Sequence, residues 1–184
     1  MSDSRAANVL GALALAIADR TSDEIAAAAG QSDSAAAALT ALYQFLDRPT
    51  LDRLRLVLGL TPSGAVRLVD RLSAAGLVAR EAGGDGRSRS VVLTAQGREL
   101  AQRISAARAA ALGEALQVLT TAEVETLESL MERMMTGMVN AKEGGAWICR
   151  LCDTRACERA AGHCPAANAA AAKYARGLGA TKSS

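Results

Sequence analysis

Aromatic residues are nearly missing from this chain, with one phenylalanine, one tryptophan and two tyrosines among 184 residues. A core built on large rings is therefore excluded, yet half of the residues are apolar and many of those are alanine. Alanine favours helix without filling much volume, so closely packed helices joined through small side chains are expected. Proline occurs only three times, which leaves few obligatory helix breaks. Histidine occurs once, at His163, and no Ser/His/Asp or paired-carboxylate arrangement stands out, so the chain is not expected to be an enzyme. The longest apolar run, Ala6 to Ala18, is too short to span a bilayer. Its leader MSDSR carries no net positive side-chain charge, and Asn8 and Gly11 interrupt the run, which argues against a signal peptide. A cytoplasmic protein without membrane association is expected. Its four cysteines, all after position 148, would then be thiols or metal ligands and not structural disulfides.

Charge is present but unevenly placed. The net value of +2 conceals a segment, residues 48–108, in which eleven arginines face five acids, an excess of six. A locally basic segment in a nearly neutral chain is the electrostatic footprint of a polyanionic partner.

The centre of that segment is the stretch from Leu60 to Gly97. Thr61 before Pro62 is an N-cap followed by proline at the first helical position, where a missing N–H costs nothing. Ala65, Leu68, Val69 and Leu72 fall at i, i+3, i+4 and i+7, one buried stripe, which leaves Ser63, Arg67, Asp70 and Arg71 on the outer face. A hydroxyl and two arginines on an exposed helix face suit phosphates and guanine edges in a major groove. Gly76 ends the helix, LVARE reads as a strand, and GGDG as a turn; Arg87 and Arg89 follow in the hairpin before VVLT returns to the body. Arginines there suit a minor groove.

Around this unit the pattern predicts a first helix over residues 5–29 with Leu10, Leu13 and Ile17 on one stripe. A second, capped by Ser32 or Ser34, carries Leu39, Leu42, Tyr43 and Leu46 and closes at Pro49. A third short helix runs from Thr50 to Gly59. Beyond the hairpin comes a long helix from about Gln96 to Leu119. The next starts at Thr121, with Val124, Leu127, Leu130, Met131, Met134, Met135 and Met138 as a continuous apolar stripe. No remaining segment is obviously free to cover that stripe, and a partner subunit is its natural cover.

The run D-G-R-S-x-x-V-x-L-T-x-x-G, Asp85 to Gly97, preceded by S-G-A-V-R-L-V-D-R-L-x-x-x-G-L-V, closely resembles the MarR family of winged helix-turn-helix regulators. The resemblance implies a mainly α fold, a winged helix-turn-helix with a small antiparallel β-hairpin wing and long dimerisation helices. It implies a homodimer, joined through the first and last two helices, on a pseudo-palindromic operator in double-stranded DNA. Such proteins are often repressors released by a small molecule or by oxidation. The candidate DNA-contacting residues are Thr61, Ser63, Gly64, Arg67 and Arg71 on the helix, Gly64 because a missing side chain allows close approach, and Asp85, Arg87 and Arg89 in the wing, with Asp85 orienting Arg87 as in relatives. This regulator domain is expected over residues 1–140.

Residues 141–184 form an extension that departs from the family pattern. After a glycine hinge come Cys149, Cys152, Cys157 and Cys164, spaced C-x2-C-x4-C-x6-C, then a helix from about Ala166 to Leu178 and a disordered end. Thiolates converging from a compact loop suit an iron–sulfur cluster or a zinc ion, and the spacing serves both. His163 is expected beside the site and not on the metal, because four thiolates complete it. The expected function is a sequence-specific transcriptional repressor tuned by this centre. The alternatives are a small-molecule-responsive repressor with a purely structural zinc, and a cluster-carrying electron-transfer or interaction protein.

Overall fold

The computed structural model describes residues 5–82, 89–141 and 147–180. Seven α-helices and one hairpin account for most of them: α1 Arg5–Ala29, α2 Asp33–Gln44, α3 Leu51–Leu58, α4 Pro62–Ala74, β1 Val78–Ala82, β2 Arg89–Leu93, α5 Ala95–Leu116, α6 Thr121–Ala141 and α7 Pro165–Ala180. Two short 3-10 turns, Ile148–Leu151 and Arg159–Ala161, lie between α6 and α7. Among the described residues no helix is long and apolar enough to cross a membrane.

Helix α2 is the hub. Seven consecutive residues, Ala35 to Ala41, are buried, so this helix is surrounded and not merely faced by the core. The alanines that give it little volume allow α1, α3, α5 and the first 3-10 turn to pack on it. Leu39, Leu54, Val57, Leu68, Val69 and Ile104 fill the core between α2, α3, α4 and α5, each almost wholly excluded from solvent. In α4 the buried residues are Ala65, Leu68, Val69 and Leu72, the stripe the sequence predicts.

The hairpin is antiparallel, with Val78 opposite Leu93, Arg80 opposite Val91 and Ala82 opposite Arg89. Thr50 adds an isolated bridge to Ser90, and Val91 N–H donates to the Pro49 carbonyl at 2.9 Å, so the segment entering α3 acts as a third edge of the wing. The wing is fixed to α5 by one compact junction. Thr94 caps α5, accepting from Gly97 N–H at 3.0 Å, and donates its own hydroxyl to the Gly76 carbonyl at 2.7 Å. Thr94 N–H donates to the Leu77 carbonyl at 3.1 Å.

Helix α6 leaves this body and packs within the chain chiefly on α7. The sequence pattern offers no obvious intrachain cover for the α6 stripe; α7 takes one flank of it, burying Val139 and part of Met135. The other flank stays open. Leu130, Met131, Met134 and Met138 are exposed, as are Val9, Leu10 and Leu13 on α1.

Candidate functional site

Helix α4 begins with the cap read from the sequence: Thr61 Oγ1 accepts from Gly64 N–H at 3.1 Å, with Pro62 at the first helical position. The cap gives Gly64 a structural reason of its own, since a Cβ there would sit 3.0 Å from Thr61 Oγ1. Ser63, Arg67 and Arg71 are all exposed on the face opposite the core. Val66 shares that face and is 41% exposed, a residue the sequence reading passed over. Its position one step before Arg67 was the available signal, because a valine outside the buried stripe has no intrachain role; in a major groove it would meet a thymine methyl.

Asp70 is committed to the wing: its carboxylate accepts from Arg80 of β1 at 2.6 Å. The exposed pair ties α4 to the hairpin more than it adds stability. On the hairpin, Arg89 stands with Arg80, Leu51 and Val91 around a shallow cavity of about 280 Å³ between the wing and the start of α3. Arg48 pairs with Glu81 at 2.7 Å on the same side. Asp85 and Arg87 lie outside the described residues.

The cysteine extension folds back onto the body and does not trail from it. Thr154 donates its N–H to Gln44 Oε1 at 3.1 Å, and its hydroxyl lies 3.0 Å from the same oxygen, at the last residue of α2. Arg159 stacks over Phe45, its guanidinium carbon 5.2 Å from the ring centre. Phe45 touches both the main core and a second small core of Val139, Cys149, Cys164, Ala166 and Ala169. The chain's single phenylalanine therefore joins the two. Thr154→Val removes the hydroxyl from this anchor; faster amide hydrogen exchange confined to residues 147–164 is the expected outcome.

All four cysteines are free thiols within that second core, Cys149 and Cys164 buried, Cys152 and Cys157 half-buried. Glu158 and Gly162 in left-handed conformation turn the chain so that Cys157 and Cys164 meet. Cys149 and Cys152 share a hydrogen bond that pushes the first strongly up and lowers the second to about 6, the charges of Arg108, Arg159 and Arg150 further lowering it. Burial and a hydrogen bond with Cys164 raise Cys157 to about 12. Among the described residues no three His, Cys, Asp or Glu side chains are grouped closely enough to hold one metal ion. His163 points its Nδ1 to Glu158 Oε2 at 2.6 Å and is mostly exposed.

Between α2, α5 and the loop after Cys152 lies a polar cavity of about 440 Å³, lined among others by Tyr43, Arg98, Gln102, Ser105 and Arg155. The Ser105 hydroxyl is buried with no hydrogen-bond partner.

The MarR family model matches residues 29–88, which span α2, α3, α4 and β1 and reach into the wing. Over those residues the chain is similar to the MarR family. Solved MarR-type structures share its fold. A MarR family protein of Mycobacterium tuberculosis, solved with p-aminosalicylic acid, is 28% identical, covers 68% of this chain and 97% of its own, and has a TM-score of 0.52. MepR, a transcription regulator of the Staphylococcus aureus multidrug efflux pump MepA, is 15% identical with a TM-score of 0.62, over 72% of this chain and 97% of its own. CouR of Rhodococcus jostii, solved with p-coumaroyl-CoA, is 21% identical with a TM-score of 0.55, over 72% and 92%. No match was found among curated proteins. The mainly helical winged-helix fold expected from the sequence is the one observed, and these MarR-type structures share it.

Proposed function

We propose that the chain is a sequence-specific DNA-binding transcriptional repressor, acting as a homodimer on a pseudo-palindromic operator and tuned by a centre bound to its four cysteines. The observation that carries the DNA-binding reading is α4: one face locked into the core, the other offering Ser63, Val66, Arg67 and Arg71 beside a basic wing. Phosphate contacts position such a helix and base contacts specify.

Arg67→Ala tests this. Operator affinity, measured by fluorescence anisotropy on a duplex selected from genomic fragments, is expected to fall by about 1–3 kcal/mol, with relaxed preference at one base pair of each half-site. Wild-type binding should weaken steeply with salt as counterions are released. Unchanged affinity and specificity in the variant would remove α4 from the reading role, and DNA binding without salt dependence would favour an electron-transfer or interaction protein.

Support for tuning by the cysteines is their attachment. They are tied at Gln44 to the end of the buried hub α2, and through Val139 to α6. A change in the quartet therefore acts on the helices that set the distance between two copies of α4. A second reading rests on the polar cavity beside the same loop, whose arginines and buried Ser105 hydroxyl suit a small organic anion as effector. The two inputs would converge on α2 and α5.

A further inference from the structure

We infer that the polar cavity beside the cysteine loop is a site for a small hydroxylated dicarboxylic acid, held between α5 and the extension. This rests on the reading of that cavity as a ligand site and adds the chemical class of the ligand and the residues that hold it.

The cavity, about 440 Å³, has the size of an ordinary small-molecule pocket but not the usual lining. Such pockets are lined chiefly by apolar side chains, whereas every described residue around this one carries a hydroxyl, an amide, a carboxylate or a guanidinium. An aromatic or aliphatic acid would find little apolar surface to bury against there, and a ligand with several polar groups is the better match.

Two walls meet at the cavity. Arg98, Gln102 and Ser105, at i, i+4 and i+7, bring one face of α5 to it, and the extension brings Asp153, Thr154 and Arg155. Asp153 is the only acid among the described lining residues, and its Oδ1 accepts from the Arg155 N–H at 2.8 Å and the Ala156 N–H at 3.4 Å, so it caps the loop. Among the described residues Arg98 and Arg155 have no carboxylate partner. Two guanidiniums contributed by different elements repel until an anion comes between them, and two carboxylates on one short skeleton answer both. The hydroxyl of the ligand is called for by Ser105, whose Oγ is buried without a hydrogen-bond partner, a cost that a ligand hydroxyl would relieve. Gln102 Nε2 donates to the Tyr43 hydroxyl oxygen at 3.2 Å, which leaves the phenolic O–H to donate to a ligand oxygen.

The test is isothermal titration calorimetry on the full-length protein at one ionic strength. The probes are tartrate, malate and succinate, four-carbon diacids carrying two, one and no hydroxyls, and salicylate as an aromatic acid. Affinity is expected to fall in that order, by about three- to tenfold per hydroxyl, with salicylate weakest. Arg155→Ala should weaken tartrate binding by about tenfold or more. Ser105→Ala should shrink the difference between tartrate and succinate while leaving succinate unchanged, and circular dichroism reports whether each variant is folded. Tartrate should also slow amide hydrogen exchange in residues 147–164, because it ties the loop to α5. Equal affinities for the three diacids, tighter binding of salicylate, or tartrate affinity unchanged in both Arg98→Ala and Arg155→Ala would overturn the ligand class. No binding by any of the four acids would overturn the site. Tartrate that binds in the expected order with operator affinity unchanged would uphold the site and overturn only its role as an effector site.

Discussion

Gly97→Ala is expected to destabilise the winged domain by about 3 kcal/mol or more, the upper end for overpacking a core. A Cβ at this position would lie 1.9 Å from the Leu77 carbonyl oxygen and 2.9 Å from its carbon, so backbone must move. That carbonyl accepts from Thr94 N–H, and Gly97 N–H donates to Thr94 Oγ1, so the shift would break the junction of α4, the hairpin and α5 together. For a chain of this length the melting temperature should drop by about 6–12 °C, read by differential scanning calorimetry. Gly113→Ala, in the same helix with nothing within 4 Å of the added carbon, is the control; it should raise stability by up to about 1 kcal/mol. Equal effects at both positions would refute the close-approach argument.

The double substitution Met131→Lys with Met134→Lys is expected to convert the protein to monomer and to reduce operator affinity by about 10²-fold or more. Both residues are exposed within an apolar flank of α6 that the chain itself leaves open, alongside Leu130 and Met138. Two charges cannot be buried there without partners, so the proposed subunit contact would fail. Loss of the dimer removes the second half-site contact, whose contribution through effective concentration is about 10²–10⁴. Sedimentation equilibrium and anisotropy on one operator decide it. A monomeric wild type would refute the contact, and full affinity in a monomeric variant would refute its role in DNA binding.

Much of the DNA-facing unit was legible because its signals are local. The Thr61-Pro62 cap, the Ala65, Leu68, Val69, Leu72 stripe and the Gly76 stop each rest on spacing within one helix, and each is observed. Less visible were features made by contacts distant in sequence. The run Ala35 to Ala38 has no hydrophobic periodicity that would mark it as the most buried helix, because alanine fits inside and outside equally well. Leu10 and Leu13 form the stripe expected on α1, but it faces outward, and periodicity alone does not say which surface a stripe meets. The bond between Asp70 and Arg80 turned a residue read as part of the exposed helix face into a strut to the wing. The clustering of the cysteines was plain, while the fold of their loop and its anchor at Gln44 depend on turns at Glu158 and Gly162 and on a contact with α2 that no spacing encodes.

The central claim is that one chain joins DNA reading by α4 to the state of its thiol quartet. The most direct measurement is operator affinity of the full-length protein, on one duplex at one salt concentration, with the centre loaded and after its removal by chelation under anaerobic conditions. At least about a fivefold difference between the two states is predicted, the lower end of ordinary allosteric coupling. Equal affinity in both states would make the extension a staple, and no sequence-specific binding in either state would contradict the account as a whole.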